Sequence, residues 1–361
     1  MKEKNEYRKD VAFINREKEM RFLNLYISER PEKILFLHGP KSSGKTTLLY
    51  RFLDDLKKFK KIEVKFLNLR EVYLGNYQDF LRVFFEVDYK NNKKRINIAR
   101  EYNLKVFKLS VEELKELEEK KIDPFVVMKT ELRELVEKGI KPIIIIDELQ
   151  ALMDIYINGQ RTLIQELFNF FVAMTKESHL AYVIISSSDG YFIDVVYNDS
   201  KLKKTSDFYE VDYLQKEDVI EWLGNLEKYS KIREYTLTEE EIEKVWDTVG
   251  GSMWEIQLLL SRFFEGEVEE VCEDYKIKMR NLIDDYIKFS KEKKIILEIF
   301  TKKIRIRNSD LENINIDKDK IEKLLADMVH NNILYYNPVK AEYYPQGRSY
   351  EWGIKLYFEK N

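Results

Sequence analysis

With a single cysteine, Cys272, in 361 residues, the chain can form no internal disulfide and no cysteine-based zinc site. Its three histidines, His38, His179 and His330, are too scattered to suggest a metal cluster. Long apolar runs are missing. The longest candidates, Ile34–Leu37 and Ile143–Ile146, fall far short of the ~18–20 residues of a membrane span. Met1 to Asp10 is polar and carries no apolar secretory segment. The expectation is therefore a soluble, cytoplasmic protein with no membrane contact. An excess of one charge is also missing: 62 Lys+Arg face 65 Asp+Glu, for a net charge of −3. That excludes a histone-like or ribosomal role, which needs a basic surplus for phosphate contacts.

What the chain does have is charge and apolar material together. Charged residues make up 35%, hydrophobic residues 44% and aromatics 13%, so disorder is excluded and packed cores are available. The length exceeds one ordinary domain of about 100–200 residues and suggests two or three. An amphipathic helix opens at Phe13–Met20, runs to about Ser28 and stops at Pro31. Lys33–His38 is a buried-strand candidate, a helix follows from Thr46 to about Lys58, and Glu63–Leu69 is a second strand. Strand, loop, helix and strand in that order predict a parallel sheet. Further strands are expected at Pro142–Ile146, Leu180–Ile185 and Phe208–Val211, with helices at Tyr77–Phe85, from Pro124 to Gly139, and at Arg161–Lys176. Ser110 and Glu113 have capping-box spacing.

From Gln215 the pattern turns helical, with candidates at 215–228, 239–248, 252–265 and 267–289. The last stretch predicts helices at Lys291–Lys302, Ser309–Asn313 and Lys318–Asn331, then strands at Leu334–Tyr336, Ala341–Tyr344 and Trp352–Phe358, the layout of a winged helix. The expected organisation is an α/β parallel-sheet core over 1–212 with an insertion at about 90–122, an all-α lid over 213–289, and a winged helix over 290–361.

The chemistry sits in Gly39-Pro40-Lys41-Ser42-Ser43-Gly44-Lys45-Thr46, which matches G-x-x-x-x-G-K-[ST] in full and is followed by Thr47. A strand leads in and a helix starts inside it. Glycines let several N–H groups converge, and the helix N-terminus adds partial positive charge at the same point. Lys45 would reach the β/γ-phosphates, and the Thr46 hydroxyl would be a Mg²⁺ ligand. Four isoleucines then carry Asp147 and Glu148 to the carboxyl end of a strand, the ligand-binding edge of a parallel sheet. Asp147 there suits Mg²⁺ and Glu148 suits activation of water. Ser186, first of a serine run at 186–188, ends another strand. It suits sensing of the γ-phosphate or, equally, a simple helix cap.

These residues resemble a family. Phe13–Met20, Gly39–Thr46, Ile143–Gln150, the serine run and Gly250-Gly251 together resemble the archaeal ATPases grouped with the STAND and AAA+ P-loop NTPases, relatives of the winged-helix initiator ATPases of the Orc1/Cdc6 kind. The resemblance implies an ASCE-type ATPase core, a helical lid and a C-terminal winged helix, with ATP or ADP and Mg²⁺ as ligands. It makes Asn15 and Arg16 neighbours of the base or ribose; their composition alone reads as a helix start. Adenine over guanine rests on the resemblance, since no N/T-K-x-D element is evident. The sequence departs from the family at Ser252-Met253-Trp254-Glu255, where the lid has neither the usual proline nor an arginine, and at Lys201–Lys204, where an arginine is usual. Hydrolysis is then expected to be slow or to need a partner's charge.

Charge decides how the winged helix is read. Residues 288–307 hold eight basic and two acidic side chains, locally +6, but the recognition-helix candidate Asp317–Asn331 is net −1. A helix entering the major groove should not be acidic. The favoured reading is an ATP-driven switch with a protein partner. The alternatives are a DNA-binding initiator or mobile-element ATPase, and a nucleotide-binding scaffold that never turns over. The basic stretch from Lys90 to Arg100 is a second possible nucleic-acid patch, although a solvated loop is the simpler reading.

Overall fold

The computed structural model describes residues 13–87, 107–119, 121–157, 161–200, 202–312 and 314–359. Nine strands are described: β1 Ile34–His38, β2 Ile62–Asn68, β3 Phe85–Val87, β4 Phe107–Leu109, β5 Lys141–Asp147, β6 Tyr182–Ser187, β7 Ser206–Glu210, β8 Leu334–Asn337 and β9 Glu342–Pro345. Five form one parallel sheet in the order β2-β5-β6-β1-β7. Successive side chains on a strand point to opposite faces, so a strand covered on both sides must be apolar throughout. Ile144, Ile146, Val183 and Ile185 bury into one face's cluster. Ile143, Ile145, Ile184 and Leu37 bury into the other's. The second face is covered by α1 (Glu17–Ser28) and α2 (Lys45–Leu56). The first is covered by α3 (Tyr77–Phe84), α4 (Val111–Glu118), α5 (Pro124–Glu137), α6 (Leu163–Val172) and α7 (Gly190–Asn198). The Ser110–Glu113 capping box forms at the start of α4.

Five helices follow: α8 Lys216–Leu223, α9 Leu226–Ser230, α10 Glu239–Val249, α11 Met253–Arg262 and α12 Val268–Ile287. They enclose their own core around Trp222, Ile256, Leu259 and Cys272. The C-terminal part holds α13 (Lys291–Ile299), a 3₁₀ turn at Asn308–Leu311, α14 (Lys318–His330), the antiparallel hairpin β8–β9, and α15 (Arg348–Glu359). An isolated bridge joins Ile306 to Tyr343 at the hairpin's edge. Among the described residues no helix is long and apolar enough to cross a membrane.

Several sequence expectations are corrected. Trp352–Phe358 is not a strand but most of α15. Its aromatic content suits a strand, yet Ser349, Gly353, Ile354 and Tyr357 are the buried positions, spaced for a helix face. That face packs on α12, so the C-terminal part and the lid share side chains such as Ile283, Ile287, Ile354 and Tyr357 in one cluster. The stretch 215–228 is two helices broken at Gly224-Asn225. Arg161–Lys176 is α6 followed by a π-helical turn over Ala173–Glu177. Within the expected insertion, β4 pairs with β3 outside the main sheet, and Phe107 and Leu117 are buried in the core. The basic stretch from Lys90 to Arg100 lies outside the described residues.

The hairpin docks on the carboxyl edge of β1 and β7. Glu210, at the end of β7, accepts hydrogen bonds from Asn337 (2.7 Å), Lys340 (2.5 Å) and Tyr344 (3.3 Å). Tyr191 stacks on Tyr336 with ring centroids 5.6 Å apart. His38 Nδ1 lies 3.0 Å from the Tyr335 hydroxyl, and burial lowers the His38 pKa to about 4, with Lys45 and Lys340 adding to the shift and Glu210 opposing it. Below the unfolded pKa of 6.5, the unfolded chain takes up a proton that the native imidazole refuses. Stability therefore falls as pH drops from about 6.5 to about 4, by about 3 kcal/mol from this group. Chemical denaturation at several pH values should show a flatter profile over that window for His38→Gln than for the native chain.

Candidate nucleotide site

The loop from Gly39 to Gly44 joins β1, which lies between β6 and β7 in the sheet, to α2. Gly39 has φ +154°, and a Cβ there would lie 2.1 Å from the Val211 carbonyl oxygen, so the chain passes only as glycine. Gly44 has φ +89° as the N-cap of α2, and Ser42 also takes a positive φ of 67°. Pro40 accepts the Ser43 N–H at 3.3 Å, and Lys41 accepts the Tyr213 hydroxyl at 2.9 Å. Lys45, Thr46 and Thr47 form the first turn of α2. Lys45 is 5% exposed, and its ammonium donates to the Gly39 and Pro40 carbonyls at 2.9 and 2.8 Å. Burial pushes its pKa down to about 8, while Glu148 and Asp147 oppose the shift.

One strand, β6, separates the loop-bearing β1 from β5, so its end lies between loop and acids. Across that edge Asn68 pairs with Asp147, Asp147 with Ser186, and His38 with Ser187. Thr46 Oγ1 donates to Asp147 Oδ2 at 2.7 Å. Asp147 Oδ1 is buried and has no hydrogen-bond partner among the described residues. Glu148 sits in the left-handed region (φ +63°, ψ +49°), costly for a residue with a Cβ and characteristic of strained functional positions. Its carboxylate accepts from Arg70 Nη2 (2.5 Å), Ser188 Oγ (3.2 Å) and the Gln150 amide. Burial raises the Glu148 pKa, and Arg70 opposes the shift.

The sequence motifs thus converge: Lys45, Thr46 and Glu148 line one cleft of about 650 Å³, with Trp254 and Lys278 of the lid and Tyr350 of α15 opposite. Asp147 lies beneath it, bonded to Thr46. Three placements add to the sequence expectations. It is Ser188, not Ser186, whose hydroxyl meets Glu148; the Ser186 hydroxyl is buried without a partner among the described residues. Arg16, 5% exposed, clamps the phosphate loop, donating to the Ser43 and Asp212 carbonyls at 2.7 and 2.8 Å. Asn15 donates to Asp218 at the start of α8, tying the N-terminal segment to the lid. Two participants escaped sequence reading. Met253, where the family's proline would stand, sets its sulfur against Gly44. Arg70 stands in a 3₁₀ turn, Leu69–Glu71, just past β2. Its signal was available, because β2 ends at the same carboxyl edge that made Asp147 a candidate.

A five-stranded parallel sheet with this loop after β1, acids after β5 and one strand between them defines the α/β P-loop ATPase fold. The chain belongs to the family of ATPase domains found predominantly in Archaea, whose model matches residues 13–259. It is 33% identical over 359 residues to an uncharacterized ATP-binding protein of Methanocaldococcus jannaschii, covering 97% of this chain and 95% of that one. It is 31% identical to an uncharacterized ATP-binding protein of Pyrococcus abyssi, with 93% and 96% covered. The Walker-type ATPase of Pyrococcus abyssi shares the fold with TM-score 0.65 at 18% identity, covering 95% of this chain and 96% of that one. The ORC2 protein of Aeropyrum pernix does so with TM-score 0.51 at 11% identity, covering 97% and 96%.

Proposed function

We propose that the protein is an ATP-hydrolysing switch whose nucleotide state is read by its C-terminal winged-helix unit. The observation that carries the chemistry is the Thr46–Asp147 bond at 2.7 Å beside the unpartnered Asp147 Oδ1. A hydroxyl and a carboxylate with a free oxygen at a phosphate loop form the donor set a Mg²⁺ ion takes, usually with waters and phosphate oxygens. Thr46 and Asp147 would hold it, and when bound it neutralises charge on the phosphates. Lys45 and the loop amides would hold the β- and γ-phosphates. Glu148 would take a proton from water as the water oxygen bonds to the γ-phosphorus. The bond from that phosphorus to the β–γ bridging oxygen breaks, leaving its electron pair on ADP. The products are ADP and inorganic phosphate.

The switch reading is supported by continuity of structure. The segment carrying Ser188 to Glu148 runs directly through Asp189, the N-cap of α7, to Gly190 and Tyr191 against the hairpin. His38, immediately before the phosphate loop, meets Tyr335 of the hairpin. A protein partner is favoured over DNA because much of the +6 stretch is paired internally: Lys293 with Asp327 (2.6 Å), Lys303 with Asp310 (2.7 Å), and Arg307 with Glu342 (2.8 Å). Hydrogen exchange at 334–345 tests the coupling. Protection should differ between the ADP and non-hydrolysable ATP complexes, and equal protection in both removes the switch. Gly190→Ala should lose that protection with either nucleotide, because its Cβ would lie 2.2 Å from the Tyr336 carbonyl oxygen.

A further inference from the structure

Phosphoryl transfer gathers negative charge on the γ-phosphate oxygens and on the departing bridge oxygen, and a cation fixed there lowers the barrier. The lid of this chain offers Trp254 and Glu255 where an arginine would serve. The cleft nevertheless contains a guanidinium. Besides Lys45 it is lined by the cations Lys41, Arg70 and Lys278. Of these, Arg70 is the one that hydrogen-bonds both Glu148 and Ser188 among the described residues.

Its backbone is fixed and its head is half-exposed to the cleft. Asn68, paired with Asp147 across the sheet, accepts the Arg70 N–H at 3.2 Å and donates to Glu71 at 3.0 Å, which sets the turn. The Arg70 side chain is 52% exposed, whereas that of Glu148 is 6% exposed. Among the described residues its hydrogen bonds run through Nη2, at 2.5 Å from Glu148 Oε1 and 3.1 Å from Ser188 Oγ. A guanidinium has five donors in a planar fork that suits carboxylate and phosphate alike. Meanwhile Glu148 is occupied: Arg70 and Ser188 reach Oε1 and Gln150 reaches Oε2, so it has little capacity left for a water proton.

We infer that Arg70 is a catalytic residue of this site, exchanging the Glu148 carboxylate for the γ-phosphate oxygens of bound ATP. One movement then does two things. It frees Glu148 to accept the proton from the attacking water, and it supplies from within the chain the positive charge that stabilises the breaking bond. No arginine from a partner is required. This rests on the hydrolytic reading above, and the test separates the two.

Dissociation constants for ADP and for a non-hydrolysable ATP analogue, together with phosphate release at several protein concentrations, are measured for the native chain, Arg70→Ala and Arg70→Lys. Arg70→Ala should keep ADP affinity within about 2-fold, which also reports intact folding, and lose about 10-fold or more of its affinity for the analogue relative to ADP. Phosphate release should fall about 10³-fold, with partial recovery in Arg70→Lys. Native turnover per molecule should not depend on protein concentration. An unchanged analogue-to-ADP ratio overturns the inference. So does faster release by Arg70→Ala, which would make the pair only a restraint on Glu148, or native turnover that rises with concentration. A native chain that releases no phosphate defeats the hydrolytic reading instead, while the affinity ratio still judges Arg70.

Discussion

Lys45→Ala should weaken ATP binding by ~30-fold or more, about 2 kcal/mol at least, while leaving the fold intact. The size of the effect follows from burial. Lys45 is 5% exposed, and the carbonyls of Gly39 and Pro40 fix the position of its ammonium within the loop. A cation already stripped of water meets a phosphate without a further desolvation cost, so its removal takes away most of its Coulomb attraction. Folding should survive because alanine is a good helix former in the first turn of α2, while Asp147 keeps its Thr46 partner and Glu148 its Arg70 partner. Lys45→Arg should not rescue, since a planar fork does not fit where two loop carbonyls converge on one nitrogen. Isothermal titration with ATP and ADP checks both variants. Native-like affinity in Lys45→Ala would show that the loop amides alone hold the phosphates.

The sequence exposed those parts of the site whose chemistry depends on neighbours in the chain. Gly39 to Thr46 is continuous, and so are the isoleucines that carry Asp147 and Glu148 to the sheet edge. β1, β5 and β6 were equally legible, because a strand covered on both faces is a largely unbroken apolar run, whereas β3 and β4 were not expected. Arg70, Met253 and the clamp made by Arg16 were not, because each acts on residues far along the chain: Glu148, Gly44, and the carbonyls of Ser43 and Asp212. The strand expected at Trp352–Phe358 failed for a related reason. Aromatic richness favours a strand locally, and only the α12 surface, built from another segment, selects the helical face of α15. The internal pairing of 288–307 was not legible for the same reason, since Asp310, Asp327 and Glu342, which pair with it, lie outside that window.

Glu148→Gln should keep ATP affinity at or above the native value while cutting turnover by about 10²–10⁴-fold. Glutamine is the substitution that isolates the proton acceptor. It keeps the volume and one carbonyl oxygen, which accepts from the Gln150 amide or the Ser188 hydroxyl where the two carboxylate oxygens accept from both. It also keeps the same backbone problem, because Glu148 has φ +63° and any side chain with a Cβ meets that cost equally. What disappears is the charge that holds Arg70. A guanidinium released from a carboxylate is more available to phosphate, so the affinity for a non-hydrolysable analogue should rise in Glu148→Gln. In the double variant with Arg70→Ala that gain should vanish. Phosphate release under single-turnover conditions, beside analogue titration of the four proteins, separates the roles of the two residues. If Glu148→Gln hydrolysed ATP at the native rate, Glu148 would be a structural anchor for Arg70 and the proton acceptor would have to be sought elsewhere along the cleft.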